Sequence, residues 1–125
     1  MAKIVAVDDE SLTLDLIKAC LSRHEVTTAL SADEGVAAIE AARPDLVIVD
    51  YNMPGKDGTE LIRQIRADAA LKATPIMMLT GESRMEKVEE SFGLGADDYL
   101  IKPFSSEVLR ARVDALLAKR SGGGS

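Results

Sequence analysis

Residues 46–58 read LVIVDYNMPGKDG, in which four apolar residues end at Asp50 and turn-forming residues follow. Similar apolar blocks occupy residues 4–7 and 76–79. Unbroken runs of Ile, Val, Leu and Met of this length are typical of strands buried on both faces of a parallel sheet. The stretch therefore predicts a central strand of an α/β fold.

Two further short apolar runs, at residues 26–30 and 99–101, complete a set of five predicted strands. Segments with helical spacing of apolar residues separate them, and the first helix is predicted to bury one face formed by Leu12, Leu16, Ile17, Cys20 and Leu21. Helix N-caps are expected at Ser11, Ser31 and Ser105, and Pro44 ends the second helix. Five strand–helix repeats with right-handed crossovers predict a doubly wound (βα)5 domain with helices on both faces of a parallel sheet.

Composition restricts the class of protein. The 125 residues fit one domain, predicted at residues 1–120, and residues 121–125 are interpreted as a flexible Gly/Ser tail or linker. The net charge of −6 without a basic stripe argues against direct nucleic-acid binding. Cys20 and His24 are single, which excludes an internal disulfide and makes a structural zinc site improbable. No signal peptide or membrane-length apolar run is present, so we expect a cytoplasmic protein without membrane attachment.

Polar groups follow four of the five predicted strands. The first strand leads into the acidic run Asp8-Asp9-Glu10, and the others lead to Asp50, Thr80 and Lys102. In open parallel sheets, ligands bind outside the carboxyl ends of the strands, near the point where the strand order reverses. We therefore expect Asp8, Asp9, Asp50, Thr80 and Lys102 to form one pocket.

The charges in such a pocket predict its chemistry. Three carboxylates repel one another and lose hydration on burial, and a hard divalent cation such as Mg²⁺ resolves both problems; Mn²⁺ is also possible. Lys102 would supply a second positive charge beside Asp50. Asp50 would then remain ionised as a carboxylate nucleophile for a phosphoryl group, whose oxygens could contact Mg²⁺, Lys102 and Thr80.

Several motifs in order resemble those of response-regulator receiver domains over residues 3–119. They are Asp8-Asp9, Asp50 with Met53-Pro54 and Asp57-Gly58, Leu79-Thr80, the run 95–99 (GADDY), and Lys102-Pro103-Phe104. The resemblance implies a flavodoxin-like strand order 2-1-3-4-5 and a chemotaxis-regulator-like protein of two-component signalling. It also implies a signalling switch, not an enzyme with a separate substrate, that catalyses its own phosphorylation and dephosphorylation.

The resemblance implies a role for each matching position. Asp50 would be the phosphoacceptor, and Mg²⁺ would be bound by Asp9 directly, by Asp8 through water and by the backbone carbonyl of Asn52. Thr80 and Lys102 would contact the phosphoryl group. The remaining roles are a switching aromatic side chain at Tyr99, a cis peptide bond at Lys102-Pro103, and tuning of a fast dephosphorylation by Asn52 and Glu82.

The same resemblance implies partners. A phosphohistidine of a sensor histidine kinase or phosphotransfer protein would donate to Asp50, and the surface of the fourth helix, fifth strand and fifth helix would signal to a downstream protein or an output domain. The chain is either a stand-alone shuttle or a receiver cut from a longer protein, as a monomer or a phosphorylation-dependent dimer.

Three alternatives share parts of this pattern. A haloacid-dehalogenase-type phosphatase also uses an aspartate nucleophile, but its pattern has a second Asp where this chain has Asn52, and no cap domain is evident. A flavodoxin-like FMN carrier would need a Ser/Thr/Gly-rich phosphate loop in place of Asp8-Asp9-Glu10. A receiver-like protein that works without phosphorylation would not need so complete a site.

Overall fold

The computed structural model describes residues 1–51, 53, 58–81 and 85–123. Within these residues five strands alternate with five α-helices, and a short 3-10 helix at Ala69–Leu71 precedes the fourth strand. The elements are β1 Lys3–Val7, α1 Ser11–Cys20, β2 Glu25–Ala29, α2 Ala32–Ala42, β3 Leu46–Asp50, α3 Gly58–Ala67, β4 Ile76–Thr80, α4 Met85–Leu94, β5 Asp98–Ile101 and α5 Ser106–Gly123.

All four pairings within the sheet are parallel, and the strand order is β2-β1-β3-β4-β5. The order reverses at β1, because the chain moves from β1 outward to β2 and then crosses to β3 on the other side. This arrangement confirms the predicted doubly wound (βα)5 fold and its strand order.

Alternate residues of the strands face two separate cores. On one face Val5, Val47 and Met78 pack with the inner sides of α2 and α3. On the other face Ile4, Ile48 and their neighbours pack with α1 and α5. Every residue of β3 and β4 is buried, as expected for strands covered by helices on both sides.

Two of the three predicted N-caps are confirmed. The Ser31 hydroxyl accepts the Glu34 N–H at 3.1 Å, and the Ser105 hydroxyl accepts the Val108 N–H at 3.1 Å. The prediction for Ser11 is wrong, because Glu10 is the N-cap residue of α1 and Ser11 is already helical. The helix begins there because the carboxylate of Asp8 accepts the Glu10 N–H at 2.9 Å and fixes the chain before the first turn.

The predicted buried face of α1 is partly wrong. Leu14, Ile17 and Leu21 are at most 4% exposed, whereas Leu12 and Leu16 are 82% and 47% exposed. Spacings of three and four residues place Leu14, Ile17 and Leu21 on one stripe toward the sheet. Leu12 and Leu16 also lie four residues apart, but their row is turned away from that stripe.

The last helix reaches into the C-terminal segment. α5 extends to Gly123, so it includes three residues of the segment 121–125, whose interpretation as a flexible tail stays a prediction. Among the helices in the described ranges, none combines the length and apolarity needed to cross a bilayer.

His24 makes a structural contact at the amino-terminal end of the sheet, opposite the carboxyl ends of the strands. Its Nδ1 accepts the Ala2 N–H at 3.0 Å, which connects the residues before β1 with those before β2. Burial lowers the pKa of His24 below its ordinary value, and the nearby N-terminus and Arg23 act in the same direction, against the opposing charge of Asp114.

Arg66 connects α3 to the entry of β5. Its guanidinium donates to the carbonyl oxygens of Thr74 and Gly95, each at 2.7 Å, and forms an ion pair with Asp97 at 2.9 Å. The same Asp97 oxygen accepts the N–H of Ile76, the first residue of β4, at 2.8 Å. Arg66 therefore fixes the loops that bring β4 and β5 into register.

We predict that Arg66→Ala destabilises the fold by about 2–3 kcal/mol, since the loss leaves partly buried acceptors without their charged donor. Urea denaturation followed by circular dichroism measures this change. Arg63→Ala is the matched control, because Arg63 lies on the same helix with an exposed side chain, and it should change stability by less than ~0.5 kcal/mol. Equal effects of the two substitutions would contradict this role of Arg66.

Gly58, the first residue of α3, packs against the end of β3. A Cβ atom at this position would meet the backbone carbonyl oxygen of Asp50 and would lie 3.0 Å from the Val49 side chain. The Gly58 N–H also donates to the carbonyl oxygen of Tyr51 at 3.2 Å. Only glycine allows α3 to begin this close to the backbone of Asp50.

We therefore expect Gly58→Ala to destabilise the protein by about 1–3 kcal/mol, because two backbone segments must move apart. Gly93 in α4 is the matched control, since a Cβ there would meet nothing within 4 Å. Gly93→Ala should raise stability by up to ~1 kcal/mol through helix propensity. Thermal denaturation compares the two variants, and a Gly58→Ala protein as stable as the parent would contradict the packing argument.

Candidate functional site

The register of the sheet places the predicted site residues at one edge. Val7 pairs with Val49, so Asp8 and Asp50 follow level positions on neighbouring strands. Thr80 pairs with Ile101, so Lys102 comes one residue later on the next strand. The parallel pairing therefore converts positions far apart in the sequence into neighbours at the carboxyl end of the sheet.

Three carboxylates form the centre of this edge. Oxygen atoms from Asp8, Asp9 and Asp50 all lie within 4.8 Å of one another. Asp8 is fully buried and Asp50 is 4% exposed, whereas Asp9 is open to solvent. One Asp8 oxygen accepts the Glu10 N–H at 2.9 Å, which restrains the orientation of that carboxylate.

The ammonium group of Lys102 lies among these acids. Its Nζ is 2.8 Å from Asp8 Oδ2, 3.2 Å from Glu10 Oε1 and 3.5 Å from Asp50 Oδ1. The sequence predicted a charge beside Asp50, but the shortest contact is to Asp8. A fully buried carboxylate is costly unless it is paired, so the ammonium group lies closest to the most buried acid.

Burial by itself lowers the pKa of Lys102, because it disfavours the charged ammonium. The hydrogen bond that Lys102 donates to Asp8, the charges of Asp50 and Asp8, and the hydrogen bond that it donates to Glu10 outweigh burial and raise the pKa above its ordinary value. Lys102 is therefore a fixed positive charge at neutral pH, and it cannot act there as a proton acceptor.

The donor set also fits a divalent metal ion. Asp8, Asp9 and Asp50 present hard oxygen ligands, and one of the three residues is exposed and can exchange ligands with solvent. Carboxylate oxygens in a small cluster are the ligands that Mg²⁺ and Mn²⁺ prefer. The acidic cluster can therefore hold a metal of this class.

Thr80 ends β4, and Tyr99 lies within β5. Thr80 is fully buried at the end of β4, and its carbonyl oxygen accepts the Lys102 N–H at 2.7 Å. Tyr99 is 8% exposed, and its side chain belongs to the core on the α3 side of the sheet. The two residues predicted to move are thus both packed inside the fold.

The remaining predicted residues divide into two groups. The peptide bond between Lys102 and Pro103 is cis, as the resemblance implies. Asn52 and Glu82 lie outside the described residues, so their predicted roles in metal binding and dephosphorylation stay predictions.

The structure adds two contacts that sequence reasoning missed. Glu10 reaches Lys102 across 92 positions of sequence, and the Tyr51 hydroxyl donates to Glu90 of α4 at 2.8 Å. Because Glu10 directly follows the acidic pair Asp8-Asp9, its position could have indicated the contact with Lys102. For the second, no pattern connects the residue after Asp50 with a particular helix position.

Comparison with known proteins agrees with this geometry. The family model of the response regulator receiver domain matches residues 4–114. The chain is 33% identical to the chemotaxis protein CheY of Pseudomonas aeruginosa over 96% of its length and 99% of the relative. It is 41% identical to the transcriptional regulatory protein ResD of Bacillus subtilis over 95% of its length, but it spans only 49% of that longer protein.

Solved structures give the same result. The chemotaxis protein CheY4 of Vibrio cholerae superposes with a TM-score of 0.89 at 37% identity, covering 93% of this chain and 98% of that one. A CheY-like receiver domain protein of Methanospirillum hungatei superposes with a TM-score of 0.91 at 30% identity, covering 98% of each chain. This chain belongs to the response regulator receiver domain family of two-component signalling.

Proposed function

We propose that this protein is a phospho-accepting switch in which Asp50 receives a phosphoryl group from a phosphohistidine of a sensor kinase or phosphotransfer protein. One observation supports the proposal above all. The Asp50 carboxylate ends a buried strand with two further carboxylates within 4.8 Å and the Lys102 ammonium at 3.5 Å. A single site thus holds a nucleophile, metal ligands and a fixed cation.

In the proposed reaction an Asp50 oxygen attacks the phosphorus atom of the donor. The new O–P bond forms as the P–N bond breaks. The electron pair of the P–N bond stays on the imidazole nitrogen, and the imidazole is protonated as it leaves. The aspartyl phosphate is later hydrolysed by water, which restores the carboxylate and releases inorganic phosphate. Phosphoryl transfer depends mainly on positioning and on stabilising charge, and the contacts at Asp50 serve both purposes.

Asp8, Asp9 and Asp50 would hold Mg²⁺, with Mn²⁺ as a possible substitute, and the carbonyl of Asn52 would complete the protein ligands. When bound, the metal ion supplies positive charge that offsets the phosphoryl oxygens. The fixed charge of Lys102 and the hydroxyl of Thr80 would contact the remaining oxygens.

Output would follow from a shift between two conformations. We assign the moving parts to Thr80 and Tyr99, and the output surface to α4, β5 and α5. Exposed apolar side chains on this surface are available to a partner, among them Phe92, Ile101 and Val108. A change from mostly inactive to mostly active protein requires the phosphoryl contacts to favour one state by up to about 5.5 kcal/mol.

The lifetime of the phosphorylated state and the identity of the partner belong to the same proposal. Asn52 and Glu82 would set a relatively fast dephosphorylation. The partner downstream is a separate protein or an output domain, as in relatives twice the length of this chain, and phosphorylation-dependent dimerisation is a further route to output. We place the reaction in the cytoplasm, the compartment that the sequence predicts.

We predict that Asp50→Asn abolishes labelling by acetyl phosphate and binding of beryllofluoride in the presence of Mg²⁺, because the amide is not a carboxylate nucleophile. Intact-protein mass spectrometry measures the labelling. Asp114→Asn is the matched control, since Asp114 is an exposed aspartate of α5 outside the site, and it should be labelled like the parent.

Undiminished labelling of the Asp50→Asn protein would contradict the proposal. Removal of the divalent ion with EDTA should also abolish labelling of the parent protein. Turnover of added phosphomonoesters by the parent would instead favour the haloacid-dehalogenase-type phosphatase.

A further inference from the structure

Glu10 occupies the N-cap position of α1 without using its side chain as a cap. Its backbone is extended, with φ −100° and ψ 110°, and its carbonyl oxygen accepts the N–H groups of Thr13 and Leu14 at 3.1 and 3.2 Å. Its own N–H donates to Asp8, and no side-chain hydrogen bond closes the helix end. The carboxylate is therefore free of a structural role in the helix and points across the site to Lys102.

Lys102 has three N–H donors, and three carboxylates of the described part of the chain lie around it. Its bonds to Asp8 and Glu10, at 2.8 and 3.2 Å, are within hydrogen-bonding distance, while Asp50 at 3.5 Å is the most distant of the three. A phosphoryl group on Asp50 adds new acceptor oxygens next to this ammonium group. To bond such an oxygen, the ammonium group must move toward Asp50, which is 3.5 Å away, and this movement draws it from one of the two acids that it already binds.

The two bonds differ in how easily they are released. Asp8 is fully buried, so loss of its cation would leave a buried charge unpaired, which is strongly unfavourable. Glu10 is 64% exposed, and an exposed carboxylate that loses its partner is solvated by water. The bond to Glu10 is therefore the one that exchanges.

We propose that Glu10 is a positioning residue, which binds the Lys102 ammonium in the unphosphorylated protein and competes with the phosphoryl group on Asp50 for it. This inference rests on the proposed phospho-acceptor function and adds a regulatory element to it. The competition slows phosphorylation and shifts the balance toward the unphosphorylated state. A protein without this carboxylate would be phosphorylated faster.

We predict that Glu10→Gln raises the rate of labelling by acetyl phosphate roughly two- to fivefold at saturating Mg²⁺, the range that an exposed ion pair supports. The neutral amide oxygen is a weaker acceptor for Lys102 than a carboxylate. Asp15→Asn removes one exposed acid from the same helix and should leave the rate unchanged. Saturating Mg²⁺ keeps any change in metal affinity out of the comparison.

The substitution Glu10→Asp distinguishes the effect of side-chain length from the effect of negative charge on the labelling rate. The aspartate keeps the negative charge, but it is shorter and is a preferred N-cap, so its carboxylate should turn toward the N–H groups of the first turn of α1 and leave Lys102. The proposal therefore predicts that Glu10→Asp is labelled as fast as Glu10→Gln. A Glu10→Asp rate equal to that of the parent would overturn it in favour of a general charge effect.

Lys102→Met provides the second test, as the gain from Glu10→Gln should disappear in that background. Persistence of the gain, or no gain from Glu10→Gln in the parent, would overturn the proposal. The Glu10→Asp comparison decides the question even where Lys102→Met is labelled too slowly to compare. If the parent protein shows no Asp50-dependent labelling, both the phospho-acceptor function and the role of Glu10 are contradicted. If labelling depends on Asp50 but its rate is the same with and without the Glu10 carboxylate, only the role of Glu10 is contradicted.

Discussion

The ammonium group of Lys102 lies between Asp8 and Asp50, two carboxylates that are almost completely removed from water. Neither acid could stay ionised at low cost in such a position without a nearby cation. The cation reaches them because β5 is held in parallel register with β4, and β4 with β3. The pairing of these charges at the carboxyl end of the sheet thus depends on the register of the strands. That register depends in turn on contacts at the amino-terminal end of the sheet, such as those of Arg66.

Much of this arrangement was predictable from local sequence. The apolar blocks at residues 4–7, 46–49 and 76–79 are short and have no polar face, which favours interior strands, and the polar residue after each block is then expected at the carboxyl end of the sheet. The carboxylate cluster follows from that reasoning without coordinates. What local patterns could not supply is the phase of α1, where Leu12 and Leu14 both fit a helical repeat but only Leu14 is buried.

Contacts between distant side chains were also beyond sequence reasoning. The bond between Glu10 and Lys102 depends on how α1 leaves β1 and how β5 ends, and no spacing rule relates the two residues. The same holds for Tyr51 and Glu90, a contact that connects the residue after Asp50 with α4. It places a helix of the proposed output surface in direct contact with the segment that carries the phosphoacceptor.

The role of Asp50 as phosphoacceptor can be tested with a crystal structure of the protein bound to Mg²⁺ and beryllofluoride, since beryllofluoride imitates an aspartyl phosphate. We expect an adduct on a carboxylate oxygen of Asp50, with Lys102 Nζ and the Thr80 hydroxyl in contact with its fluorine atoms and with Mg²⁺ bound by Asp9. An adduct elsewhere, or one on Asp50 that neither Lys102 nor Thr80 contacts, would contradict it.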